Sequence, residues 1–525
     1  MTFPELSLTA SGKVPRAIRA LTSIPWPAER EDFPSVEGIS SQAVPLFEPH
    51  TRPRLRRYLM LCEKPGGLPS ELKVVPAKAE PTGAPFSEVG FRTLKECLEK
   101  GKYVYREEEA VFRLAGREVR FRMGLLPSPR PSTLDPRHLS FWQWCGAERL
   151  WSGPLAEAWR IGGHLVPYTT EKQGQWEKRG LQDMSEKISR ECGNVLHGDL
   201  YVIAWKSGCI QVTAHFKAGY FHHWPKPIPA FPLLWVGGLA ENVTGKIGPG
   251  SLCFDLRGDA LDFSPSSLVF TKGYEGTMET VDGGILIQPW HDLRVLAHKS
   301  KENVLTHLPP GEVATIPEGV SRSFRLALGF GGAGAEVGRY RVPPSWYKAC
   351  GVIETDRVGP AVEMASRSVA LIKEHTQKGG FDTGRVWRYL RRDLRLGRPE
   401  EDGAEWEGNL AQGLFQLAYQ VGEEPSDVWE LDLHHAYHAA DVSIYHGSWM
   451  GRLECASIMT APLPKARFGA FVAGYLETGD PYLLDIARSV AGVYMAMEWA
   501  HQPRFCMGRD AYPLTCLMAL WDYTA

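Results

Sequence analysis

Thirteen residues hold four of the chain's sixteen histidines: His434, His435, His438 and His446. They stand in the run His434-His435-Ala-Tyr437-His438-Ala-Ala-Asp441-Val-Ser443-Ile-Tyr445-His446-Gly-Ser-Trp449. On a helix, His434, His438, Asp441 and Tyr445 fall at i, i+4, i+7 and i+11, on one face. Imidazole beside a carboxylate and a phenol can take and give protons near neutral pH, the equipment of a pocket that does acid–base work. The same face could equally serve as the hydrogen-bonding side of a packed helix. His434 and His438 also have the spacing of a zinc pair, but the glutamate of an H-E-x-x-H site is missing between them.

Two further clusters carry chemistry. Met507-Gly508-Arg509-Asp510-Ala511-Tyr512-Pro513 marks a helix start, where Arg509 can grip a carboxylate with its planar fork and Tyr512 can exchange a proton. A capped helix with Arg509 in a structural ion pair is the competing reading. Glu405-Trp406-Glu407-Gly408-Asn409-Leu-Ala-Gln412 opens another helix. There Trp406 can stack a sugar ring while Asn409 and Gln412 share one face, or the segment is an ordinary helix start.

The elements that must position these residues change character along the chain. Residues 1–350 alternate apolar and polar side chains, as in Tyr103-Val-Tyr-Arg, Arg117-Glu-Val-Arg-Phe-Arg and Leu200-Tyr-Val-Ile-Ala-Trp205. Ile210-Gln-Val-Thr-Ala-His-Phe216 and Ser323-Phe-Arg-Leu-Ala-Leu328 continue the pattern. Such short strands bounded by Gly and Pro predict antiparallel barrels or sandwiches, here a β-barrel-like unit over 1–190 and a β-sandwich over 191–350. The polar stretch Thr169 to Cys192 reads as a solvated excursion between them. From about Arg357 helical periodicity takes over, with helices expected over Val358–Lys373, Leu410–Gln420, Ser426–Tyr445, Phe468–Leu476, Pro481–Trp499 and Asp510–Tyr523. An arginine-rich stretch from Arg385 to Arg398, followed by Glu400-Glu401-Asp402, reads as a self-cancelling solvated loop or as a rim for an anionic substrate.

The helices repeat. Gly422 and Gly479 each follow a helical run, 57 residues apart, at the place where a helix C-terminus takes a left-handed residue. A third copy starts at Tyr512-Pro-Leu-Thr-Cys-Leu and ends before its own Gly-Asp. Stacked hairpins of this size build solenoids or α/α toroids, and the region 351–525 is therefore expected to be an α/α toroid that continues past Ala525. The fold class expected is multidomain β + α: an antiparallel β-barrel/β-sandwich region followed by an incomplete α/α toroid.

Composition narrows the function. Lys+Arg number 59 against 61 Asp+Glu, a net charge of -2, which lacks the basic footprint of a nucleic-acid binder. Runs of about 20 apolar residues are missing, so no membrane partner is expected. The N-terminus has no apolar segment behind a basic start, and the ten cysteines form no C-x-x-C pair; free thiols in a cytoplasmic protein are the expectation. Gly329-Phe-Gly-Gly-Ala-Gly334 satisfies G-x-G-x-x-G, but Arg339-Tyr-Arg-Val-Pro-Pro cannot be the helix that a dinucleotide site needs. The aromatic surplus (17 Trp, 18 Tyr, 21 Phe) suits large cores and sugar-binding clefts alike.

A β-rich half leading through Pro343-Pro344-Ser345-Trp346-Tyr347 into hairpins with His438-x-x-Asp441-x-x-x-x-His446, Thr478-Gly479-Asp480 and Gly508-Arg509-Asp510-Ala511-x-Pro513 resembles the rhamnogalacturonan exolyase family and its relatives. Leu21-Thr-Ser-Ile-Pro-Trp-Pro27 looks like that family's opening strand. The resemblance implies a β-barrel, a β-sandwich and an α/α toroid, and a polysaccharide lyase that cleaves a uronic-acid-containing, pectic glycan by β-elimination. It departs at Asn409 and Gln412, where relatives tend to have an acidic residue and a histidine, and at Lys465 or Arg467, where they often have a histidine.

Elimination needs a group that neutralises the uronate, a base for the C5 proton and an acid for the leaving oxygen. On this resemblance Arg509 holds the carboxylate, His438 or His446 is the base, Asp441 orients it, and Tyr445 is the acid. Trp406, Asn409, Gln412, His434, Trp449 and Tyr512 bind substrate. No cofactor is called for, with a divalent cation left open; the partner is a poly- or oligosaccharide, and a homo-oligomer is left open too. A hydrolase needs two carboxylates across the bond, for which Asp441 with Glu405 or Glu407 would serve. A carbohydrate-binding protein with a decayed site is the third expectation.

Overall fold

The computed structural model describes residues 5–11, 17–48, 55–78, 83–99, 102–114, 116–127, 142–165, 196–218, 230–238, 252–256, 259–265, 277–281, 284–288, 321–329, 337–352, 469–496 and 511–524, with 367, 415, 419 and 420. The first strands are β1 (Leu6–Ser11), β2 (Arg19–Pro27), β3 (Phe33–Val36), β4 (Ser40–Pro45), β5 (Leu55–Glu63) and β6 (Glu71–Ala77). Longer ones follow: β7 (Ser87–Glu99), β8 (Lys102–Leu114), β9 (Arg117–Pro127), β10 (Trp142–Ser152), β11 (Ala156–Leu165), β12 (Leu196–Trp205) and β13 (Cys209–Ala218). Then come β14 (Ala230–Gly237), β15 (Leu252–Leu256), β16 (Asp259–Pro265), β17 (Thr277–Val281), β18 (Gly284–Gln288), β19 (Ser321–Gly329) and β20 (Arg339–Arg341). The described helices are α1 (Pro344–Ala349), α2 (Gly469–Thr478), α3 (Pro481–Ala496) and α4 (Ala511–Thr524).

The fold is mostly β, built of several antiparallel sheets. Two are large: a seven-stranded sheet in the order β10-β11-β12-β13-β19-β16-β15, and a six-stranded one in the order β17-β18-β14-β9-β8-β7. Phe112 of β8 meets Trp159 of β11 edge-on at 6.5 Å, where the two sheets face each other. Each alternating run read in the sequence is a strand here, since period-2 patterning suits a sheet with one buried face. Both large sheets draw strands from either side of residue 190, the point at which the sequence reading divides the β region; β11 pairs with β12 over Ala156↔Trp205 to His164↔His197. The run after Gly329-Phe-Gly-Gly-Ala-Gly334 contains β20, a strand rather than a helix, as a dinucleotide site would not allow.

Two smaller sheets, β20-β1-β6-β3 and β2-β5-β4, carry the helices. β5 is central in the second, with the apolar run Tyr58 to Cys62 buried; β2 sits at its edge, which tolerates Pro25 and Pro27 because an edge strand need not donate on both sides. Tyr58, Trp26, Trp346, Phe471 and Tyr482 share one core with these strands, so the helices pack directly on the N-terminal sheets. Trp26 and Trp346 lie 5.6 Å apart, and Trp346 Nε1 donates to Pro25 O at 2.8 Å. Pro344 opens α1, where its missing N–H costs nothing.

The helices α2, α3 and α4 match three of the helices expected from sequence. Three helices do not make the toroid expected over 351–525; apart from 351, 352, 367, 415, 419, 420, 469–496 and 511–524, the residues of that range lie outside the described residues, as does the excursion Thr169 to Cys192. Among the described residues no helix is long and apolar enough to cross a membrane. The described cysteines Cys62, Cys145, Cys209, Cys350 and Cys516 are free thiols.

Candidate functional site

The turn Thr478-Gly479-Asp480 joins α2 to α3 and shows why those three residue types stand together. Gly479 has φ +65°, and its N–H donates to Tyr475 O at 2.7 Å, closing α2 with a left-handed residue. A Cβ at 479 would lie 2.5 Å from Leu59 Cδ2, because the turn is pressed against β5. Thr478 Oγ1 donates to Gly474 O at 2.8 Å and accepts from the Asp480 N–H at 3.1 Å. Asp480 caps α3 by accepting from Tyr482 N at 3.0 Å, while its other oxygen accepts from Thr213 Oγ1 of β13 at 2.9 Å. One carboxylate thus starts a helix and ties it to the seven-stranded sheet.

Below that tie lies a polar network on one face of the sheet. The register pairs Arg160 with Tyr201, Gly162 with Asp199, Asp199 with His215 and Tyr201 with Thr213, so period 2 puts all of them on the same side. Arg160 bridges two carboxylates, with Nε 3.5 Å from Asp199 Oδ1 and Nη1 3.3 Å from Asp485 Oδ2 on α3. Tyr201 donates to Asp485 Oδ2 at 2.7 Å. His215 is fully buried, its ring 4.4 Å from that of Tyr482 and its Nδ1 4.0 Å from Asp199 Oδ2. Burial, helped by Asp199 and Asp485, pushes the Tyr201 phenol well above its ordinary range. Burial alone would lower the Arg160 guanidinium, but Tyr201, Asp199 and Asp485 outweigh it and hold the cation. Both carboxylates are committed to Arg160, which makes this a charge-paired clamp between sheet and helix.

A second pairing anchors α2. Arg57 of β5 donates through Nη1 to Glu477 Oε1 at 3.0 Å, and the Tyr419 hydroxyl donates to the same oxygen. Arg339 Nη2 lies 3.9 Å from Glu477 Oε2. Tyr347 stacks on Tyr419 at 4.3 Å, and the Arg57 guanidinium lies 5.3 Å from the Tyr419 ring centre. α4 is tied in turn by Glu48 N donating to Tyr523 O at 2.8 Å.

His434, His438, Asp441, Tyr445, His446, Trp449, Trp406, Asn409, Gln412 and Arg509 lie outside the described residues. Tyr512 is the second residue of α4, which begins at Ala511, directly after Gly508-Arg509-Asp510. Among the described residues no group of three His, Cys, Asp or Glu could hold a metal ion. Sequence reasoning did not mark Arg160, Asp199, Tyr201, His215, Asp485 or the Arg57–Glu477 pair. Their one local signal is a polar residue recurring at alternate positions of an apolar strand, as in Asp199-Leu-Tyr201 and Thr213-Ala-His215.

No known protein family's model matches the chain, and no curated protein sequence matches it. Among solved structures it is similar to an alpha-mannosidase from Enterococcus faecalis V583, with a TM-score of 0.27 and 7% identity. That match covers 63% of this chain and 41% of the mannosidase, so the chain spans less than half of the protein it matches. A likeness of that size assigns neither family nor activity.

Proposed function

We propose that the chain is a carbohydrate-active enzyme, a polysaccharide lyase that cleaves a uronic-acid-containing, rhamnogalacturonan-like glycan by β-elimination. The observation that carries this reading is the hairpin frame: Thr478-Gly479-Asp480 makes the turn its residue types call for, and α4 opens directly after Gly508-Arg509-Asp510. In this reading the hairpins belong to an α/α toroid whose inner helices bear the histidine cluster. Arg509 neutralises the uronate carboxylate and so acidifies the C5 proton. His438 or His446, oriented by Asp441, removes that proton; the C4–O bond breaks as the C4–C5 double bond forms, and Tyr445 protonates the departing oxygen. Trp406 and Trp449 stack sugar rings, and Asn409, Gln412, His434 and Tyr512 bind their hydroxyls.

The test is incubation of the full chain with pectic and other anionic polysaccharides. New ultraviolet absorbance from an unsaturated product is the expected result, lost in His438→Ala. New reducing ends without absorbance point instead to a hydrolase, and binding without either product to a carbohydrate-binding protein. Full turnover by His438→Ala overturns the assignment of the base.

A further inference from the structure

The six-stranded sheet sorts its charges into rows. On one face β7 contributes Gly90 and Arg92, β8 Val111 and Glu109, β9 Arg120 and Arg122, and β14 Gly237 and Trp235, aligned by the cross-strand register. Glu109 is fully buried, and three guanidiniums converge on its carboxylate. Arg92 pairs with Oε2, Arg122 pairs with Oε1, and Arg120 Nη1 lies 3.8 Å from Oε2. Among the described residues, three guanidiniums thus share one carboxylate here. The adjoining row on the same face sets two carboxylates, Glu88 and Glu118, 4.0 and 3.7 Å from one guanidinium, Arg113, so the described charges of the two rows leave one positive charge in excess.

This excess is held in place. The Trp235 ring lies against Gly237 and Gly284, where a Cβ would come within 1.8 and 2.6 Å of ring atoms, so both positions admit only glycine beneath the indole. The guanidiniums of Arg122 and Arg120 lie 4.3 and 5.5 Å from the ring centre. All three arginines keep an open side, with side chains 49%, 24% and 21% exposed for Arg92, Arg120 and Arg122. Like charges crowded at a half-buried face repel unless an anion joins them, and oriented guanidiniums are the preferred partners of a carboxylate.

We propose that Arg92, Arg120 and Arg122 form a binding site for a carboxylate of an acidic polysaccharide, on the β region and apart from the residues assigned to elimination. The oxyanion follows from the arginines; its source in a polysaccharide rests on the proposed function. Titration of the full chain with polygalacturonate, its fully methyl-esterified form and inorganic sulfate separates the sources. Polygalacturonate binding is expected, about tenfold weaker once esterified and about tenfold weaker in Arg92→Gln/Arg120→Gln, the scale of one charged hydrogen-bonding partner. The single Arg92→Gln, at the most exposed position, covers the case in which the double variant fails to fold. Unchanged affinity in a variant that melts like the parent overturns the site, as does equal binding of the ester. Sulfate binding as tightly as the polymer overturns the polysaccharide source. Arginine-dependent binding without any cleavage product leaves the site standing while the lyase reading falls.

Discussion

Arg57 and Glu477 meet at 3.0 Å across 420 residues of sequence, both side chains nearly or fully buried. The pair joins the central strand of a small sheet to the last turn of α2. Burial by itself would lower the Arg57 guanidinium, but Tyr419 and Glu477 beside it outweigh that and hold the charge.

Removing one partner of such a pair leaves the other charge buried, which costs about 3–5 kcal/mol. Arg57→Met should fall at the low end, because Arg339 remains 3.9 Å from the other oxygen of Glu477. Replacing both, as Arg57→Met with Glu477→Leu, should recover part of that loss and leave the Tyr419 hydroxyl without its acceptor, a residual of about 1–3 kcal/mol. A double-mutant cycle read by urea unfolding checks this. Additive effects of the two substitutions would mean that the contact carries no coupling.

Gly479 answers to two constraints at once. Its φ of +65° costs a residue with a Cβ about 1–2 kcal/mol, and that Cβ would meet Leu59, which is fully buried and cannot swing aside without disturbing the core. Gly479→Ala should therefore destabilise by more than the backbone contribution alone. In a Leu59→Ala background the steric part should vanish and the backbone part persist. Equal costs in both backgrounds, measured by denaturant midpoints, would remove the close approach from the explanation.

Local pattern carried most of what could be read in advance. The alternation in Leu200 to Trp205 and Ile210 to Phe216 foretold β12 and β13, and Gly479 and Pro481 foretold where α2 ends and α3 begins. Those signals are written within a few residues of themselves. Pairing order is not: β13 takes β19 as its neighbour across about a hundred residues, and no periodicity encodes that choice. The clamps are less legible still. Arg160, Asp199 and Asp485 each look like ordinary surface charges until the sheet register and α3 bring them together. For the histidine cluster the sequence supplies spacing and residue type, and the chemistry rests on those.

Asp480 tests whether the helix cap and the sheet tie can be separated. Asp480→Asn keeps an oxygen for the Tyr482 N–H and should cost little as a cap; Asp480→Ala loses the cap, about 1 kcal/mol, and also the acceptor of Thr213. Thr213→Val removes only the tie. If hydrogen exchange in α3 accelerates in Asp480→Ala but not in Thr213→Val, the cap dominates. Equal acceleration in the two variants would mean that the sheet contact is what holds the helix start.

Alkaline pH should unfasten the structure from its buried acids. Burial raises the phenols of Tyr201, Tyr419 and Tyr475, and it pushes the thiols of Cys62 and Cys209 up to about 12. In the unfolded chain a thiol titrates near 8.5 and a phenol near 10, roughly. Between those values and the folded ones the native state holds protons that the unfolded state has released. Stability is then complete below about pH 8.5 and falls as pH rises, by up to about 1.4 kcal/mol per pH unit for each group in its window. The fall should begin with the thiols and steepen above about pH 10 as the tyrosines join. Guanidinium unfolding from pH 8 to 11, followed with tyrosinate absorbance, reads both stages. Tyr419→Phe should flatten the upper stage while leaving the lower one unchanged; a stability that stays level through that range would show that these groups titrate alike in both states.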